Sequence, residues 1–200
     1  MTSKDDDWRD PRPTAEAYKS PYRERWQALR EAITRAPAQA FDMSDWLTQE
    51  TDSKVTNLAG DLLFKDVSVD ITDCGTAGCL AGWAYLLKAV DGDVDKVFGP
   101  VQLEKGHSLS WEAAVWLGLT DAGGGDTDAD AVFTGDWLPA SVPMSKATPA
   151  DALILIDAVL AEAAKPERKR RHITDVCGEV HDRIEAQRAG DEYDEQKETV

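Results

Sequence analysis

Arginine is missing altogether from residues 37–164, where 6 lysines face 21 aspartates and glutamates for a net of −15, nearly the whole formal charge of −16 carried by the 200-residue chain. Such a field repels nucleic acid and anionic membrane and attracts basic partners. Cysteine is scarce and odd in number, at three. No disulfide framework is implied, and a reducing compartment is expected. Long apolar runs are lacking too: Cys79–Leu87 is the longest and Ala152–Ile156 is shorter still, well short of the roughly 20 residues a membrane helix needs. The opening MTSKDDDWRD is polar and acidic and carries no secretory leader pattern, so a cytoplasmic protein without a membrane partner is expected.

What the chain has is enough apolar content, 42%, to bury a core within one domain. Residues 1–13 and 190–200 show no apolar period and are expected to be disordered, leaving a single helical domain over 14–189 around the acidic centre 37–164. Helical spacing predicts a helix over 20–36, with Ser20 as N-cap, Pro21 at the first position and Tyr22, Trp26, Leu29 and Ile33 on one stripe. A short helix is expected at 41-FDMSDWL-47, and a strand at Val67, Val69 and Ile71, its partner sought in 55–64. Further helices are predicted over 77–90 with Thr76 as cap, from Ser110 to a stop at Gly118, from the Thr148–Pro149 cap pair, and over 174–189. The segment 120–136 reads as a mobile loop too polar to pack except at Val132 and Phe133. The expected fold is mainly α, a bundle of about five helices with at most one short β-hairpin, centred on the helix from Pro149.

The order FDM-x-x-W from Phe41, 74-CGTAGCLAGWA-84, AA-x-x-LGL from Ala113, VF-x-x-x-W from Val132 and TP-x-x-A from Thr148 resembles a family of small uncharacterised proteins of bacteriophages and prophage-bearing bacteria. The resemblance implies a phage-type accessory protein in the host cytoplasm and assigns no catalytic residue.

Three readings of the cysteine block are distinguishable on the residues. As a nucleophile, Cys79 in the first turn of a helix would have its thiol pKa lowered by the dipole, yet none of His107, His172 and His181 sits in a recognisable protease or acyltransferase context. As a structural zinc site, Cys74 and Cys79 would join Cys177 and His181, which are i, i+4 on one helix face, in a Cys3His set. The Cys-x4-Cys spacing is wide for that, and Cys177 lies on an apolar stripe. Packing is the preferred reading, with Cys79 or Leu80, Trp83, Leu86, Leu87 and Val90 on one face, and neither a cofactor nor an enzymatic role is expected.

The aspartate runs Asp91, Asp93, Asp95 and Asp126, Asp128, Asp130 start like calcium loops. They lack the glycine and the glutamate at the sixth and twelfth positions, where Lys96 or Ala131 and Gln102 or Trp137 stand instead. The basic run 165-KPERKRR-171 reads as a solvated linker, and nucleic-acid binding is not expected. The preferred function is a non-enzymatic accessory protein that binds a partner with a basic surface, through the acidic centre and an exposed tryptophan. Trp111, Trp137, Asp126, Asp128 and Asp130 are the candidate contact residues. DNA mimicry or inhibition is a narrower form of it. A thiol enzyme or redox protein using Cys79, or a small zinc protein, is the alternative.

Overall fold

The computed structural model describes residues 16–43, 47–51, 54–62, 65–71, 76–106, 108–120 and 127–198. The fold is mainly α. After a 3-10 turn at Glu16–Tyr18, helix α1 runs Tyr22–Arg35 and buries Trp26, Leu29 and Ile33 of the expected stripe together with Ala32, while Tyr22 is only partly covered. Its entry differs in detail: Pro21 is the N-cap, and the Ser20 hydroxyl donates instead to Glu24 Oε1 at 3.1 Å.

The segment expected to form a short helix from Phe41 goes the other way. Phe41 makes a parallel bridge to Gly78, and Leu47 opens strand β1 (Leu47–Thr51). Ser44 and Trp46, expected in that helix, lie outside the described residues. Strand β1 pairs antiparallel with β2 (Lys54–Asn57), the single connected hairpin among the described residues, which leads into a four-residue helix α2 (Leu58–Asp61). Two further pairings are non-local. Strand β3 (Val67–Asp70), with Val67 and Val69 buried, pairs antiparallel with β5 (Pro100–Leu103), and β4 (Thr76–Gly78) adds to β1. The partner of β3 therefore comes from beyond the next helix and not from residues 55–64, where β2 pairs with β1 instead.

Helix α3 (Leu80–Ala89) has every residue from Leu80 to Leu87 buried, so it is the central helix in place of the one from Pro149. A helix apolar all round has to be enclosed. It closes with Asp91 and Gly92 at positive φ, the Gly92 N–H donating to Leu87 O at 2.8 Å and the Asp91 N–H to Lys88 O at 3.1 Å, a Schellman ending. The aspartates that follow are committed to structure. Asp93 accepts from the N–H groups of Asp95 and Lys96 to cap α4 (Val94–Val97), and Asp95 pairs with Arg35 at 2.8 Å.

Helix α5 (Leu109–Leu117) starts at Ser108, two residues before the expected cap, and stops at Gly118, as expected. Gly118 has φ +71°, and a Cβ there would lie 2.7 Å from Tyr22 Cγ and 2.9 Å from the Ala17 N. Glycine meets both the backbone conformation and the close approach. Within the stretch expected as a mobile loop, α6 (Thr127–Phe133) forms and buries Ala129, Ala131, Val132 and Phe133.

Helix α7 (Pro149–Ala163) carries the predicted cap pair in full: Thr148 and Asp151 make a reciprocal capping box with Pro149 at the first position. Its buried face is Ala152, Leu155, Ile156, Val159 and Ala163; Leu153 and Leu160, expected at its centre, are only partly covered. Helix α8 (Ile173–Glu198) docks through Ile173, Val176, Cys177, Val180 and Ile184, and its backbone stays helical through Glu198, past the expected end at Ala189 and into the tail expected to be disordered. No helix among the described residues is long and apolar enough to cross a membrane.

Candidate functional site

The cysteine block is built as strand, cap, helix. Thr76 belongs to β4 and is not a helix cap; Cys79 itself is the N-cap of α3, one position outside the first turn expected for it. Cys79 is buried beneath the Phe41 segment, whose Asp42 N–H donates to Gly78 O at 3.2 Å, and Trp83 donates its indole N–H to Ala40 O at 3.2 Å. Burial pushes the Cys79 thiol up to about 11, with Asp42 adding to the rise, against the opposing pull of the N–H groups of Gly82, Ala81 and Cys79. A thiol held protonated at neutral pH is a poor nucleophile. The helix N-terminus does not rescue it because desolvation of the anion is the larger effect.

Cys177 lies in a different neighbourhood. It is buried on α8, and burial followed by the fields of Asp128 and Asp136 pushes its thiol up to about 12. The surrounding polar groups are Tyr18, buried with no hydrogen-bond partner for its hydroxyl among the described residues, and Asp128, whose Oδ1 is 3.3 Å from His172 Nε2. Burial, then Glu162, Asp128 and Cys177, raise the Tyr18 phenol. Cys79 and Cys177 are thus set among different charges, His181 is half-buried on α8, and Cys74 lies outside the described residues. Among the described residues no group of three or more His, Cys, Asp or Glu could hold a metal ion.

The basic run is used within the fold. Glu162 of α7 is 1% exposed and interrupts an apolar face. Lys165 Nζ donates to its Oε2 at 2.7 Å, the Arg171 N–H donates to Oε1 at 2.7 Å, and the Arg171 guanidinium donates to Oε2 at 2.9 and 3.1 Å. Burial alone would push the Glu162 carboxyl up, but the Lys165 and Arg171 hydrogen bonds together outweigh it and hold it below its ordinary value. Arg170 donates to the carbonyls of Ala163 and Lys165, capping the end of α7. Residues expected to be a solvated linker therefore satisfy a buried charge and a helix terminus.

The tryptophans separate by exposure. Trp26, Trp83 and Trp137 are fully buried, and Trp116 nearly so. Trp137, a candidate contact residue, is removed from that role because its indole N–H donates to Val132 O at 2.8 Å inside the core. Trp111, in the first turn of α5, is 55% exposed, the one large apolar side chain so placed among the described residues. Of the candidate aspartates, Asp130 is exposed, Asp128 is mostly covered and pairs with His172, and Asp126 lies outside the described residues.

Comparison with family models, curated proteins and solved structures finds no match.

Next to Trp111, Glu112 pairs with Lys88 of α3 at 2.8 Å, and Lys88 lies 5.7 Å above the Tyr85 ring. Tyr85 and Lys88 with Ala89, Gln102, Leu103 and Glu104 line a groove of about 140 Å³ between α3 and β5. Burial, then Glu112 and Glu104, raises the Tyr85 phenol. Sequence reasoning missed this groove because its walls lie on two segments joined only by folding, and no spacing in either announces it.

Proposed function

We propose that this chain is a non-enzymatic accessory protein of the bacteriophage or prophage kind, which binds a protein with a basic surface through its acidic centre. The exposure of Trp111 carries the reading. The other four described tryptophans are buried, so an indole left in water on a chain whose centre holds a net −15 is the feature the fold does not use. Aromatic side chains anchor interfaces because they bury a large area at little entropic cost, and an acidic surround steers and selects a cationic partner. The burial and raised pKa of Cys79 support this reading over a thiol enzyme.

The test is affinity capture from a bacterial lysate with wild-type and Trp111→Ala protein, washed at low and high salt. A specific protein held by the wild type, released by salt and lost from the variant supports the proposal. Capture that resists salt and ignores Trp111 counts against it.

A further inference from the structure

We propose that the exposed face of Trp111 seats the guanidinium of an arginine from the basic partner, an inference that rests on the acidic-surface reading. The fold covers the part-exposed rings of Tyr22 and Phe98 in this way. Arg25 Cζ lies 5.1 Å from the centre of the Tyr22 ring and 5.7 Å from that of Trp116, and Arg35 Cζ lies 4.7 Å from that of Phe98. A guanidinium over an aromatic face is held by the ring quadrupole, and it stacks flat with a lighter hydration shell than an ammonium. Indole is the strongest of the aromatic faces in this respect. Trp111 is 55% exposed, and among the described residues no cation stands over its ring.

The chain does not cover Trp111 with an arginine of its own. Residues 37–164, which include all of α5, hold none. Arg25 reaches α5 from α1, but at the far end of the helix, where it donates to Trp116 O at 2.8 Å, about 7–8 Å along the axis from Trp111. Lys88, the cation beside the residue after Trp111, is tied to Glu112 at 2.8 Å and lies over Tyr85. The cation for Trp111 therefore comes from another molecule, and a chain of formal net charge −16 attracts molecules that carry one.

Titration calorimetry of the full chain with hexa-arginine and hexa-lysine peptides tests this, at salt of about 0.05 M and about 0.15 M to vary the screening. Both peptides should bind less tightly at the higher salt, and hexa-arginine should bind the wild type more tightly than hexa-lysine does. Trp111→Leu keeps an apolar side chain without a π face and should weaken hexa-arginine binding by about two- to fivefold, the strength of an exposed cation–π contact. Trp111→Phe keeps a face and should retain most of the preference for arginine. In nitrogen-correlated NMR spectra the Trp111 indole N–H, identified by its loss from either variant, should shift as hexa-arginine is added. The seat is refuted if that resonance stays put, if Trp111→Leu keeps the arginine preference, or if Trp111→Phe loses it as fully as Trp111→Leu. In each of those cases salt-dependent binding of both peptides leaves the acidic-surface reading standing. Equal binding of the two peptides to the wild type refutes the selection of arginine. Absence of binding by either peptide refutes both the seat and the reading it rests on.

Discussion

Replacing Glu162 by glutamine keeps the volume of a buried side chain and removes its charge. Both carboxylate oxygens are in use, Oε1 by the Arg171 N–H and Oε2 by Lys165 Nζ and the Arg171 guanidinium. An amide has one oxygen for these donors, and its NH2 must face a donor in either orientation. Breaking a buried ion pair on one side costs about 3–5 kcal/mol. Lys165 and Arg171 are themselves 43% and 40% exposed and recover some hydration, which lowers the expected loss to about 2–4 kcal/mol. For a chain of this size that corresponds to a fall in Tm of roughly 5–15 °C.

The loss should depend on pH in one direction. The Glu162 carboxyl is held below its ordinary value in the folded chain, so its stabilisation is present above the unfolded value of about 4.3 and disappears as pH falls through the folded one. Urea unfolding of wild type and Glu162→Gln at neutral pH and at successive acid steps should show two curves converging below pH of about 4. A difference under about 0.5 kcal/mol at neutral pH, the range of ordinary surface changes, or a gap that does not narrow in acid, would refute the account of the α7–α8 junction.

Two further outcomes follow from local geometry. The thiols of Cys79 and Cys177 are raised to about 11 and about 12, whereas unfolded thiols ionise near about 8.5. Stability should therefore be full below that value and decline as pH climbs toward the folded ones, with Cys79→Ala removing part of the decline. Rapid alkylation of the folded protein near neutrality would contradict their burial. Gly118→Ala forces a Cβ to 2.7 Å from Tyr22 Cγ at a φ of +71° and should cost about 2 kcal/mol or more in denaturant unfolding; a neutral result would mean that α1 and the end of α5 do not meet there.

Features set by near neighbours in the chain were legible. The Trp26, Leu29, Ile33 stripe, the Thr148–Pro149 cap pair and the stop at Gly118 depend on residues within one or two turns. Features set by distant partners were not. Thr76–Gly78 is too short to show a period of its own, and it is a strand because β1 and the Phe41 segment lie alongside. The glycine and aspartate stretch gives α6 because Ala129, Val132 and Phe133 find apolar cover, which composition alone does not foretell. Trp111 and Trp137 look alike in sequence, and only folding exposes one and encloses the other. Glu162 did leave a signal: of the two acids in 153-LILIDAVLAEAA-164, Asp157 and Glu162, it alone falls on the buried face, and it is followed within nine residues by the cations that neutralise it.

The acidic-surface reading is tested most directly by the affinity of the captured partner for wild-type and Trp111→Ala protein, measured by calorimetry from low salt to well above physiological strength. The account predicts that affinity falls steadily as the Debye length shrinks from roughly 10 Å at about 0.1 M toward 3 Å at about 1 M. Loss of Trp111 should cost about 2 kcal/mol, or roughly thirtyfold in Kd. An affinity indifferent to salt, and unchanged when Trp111 is removed, would contradict it.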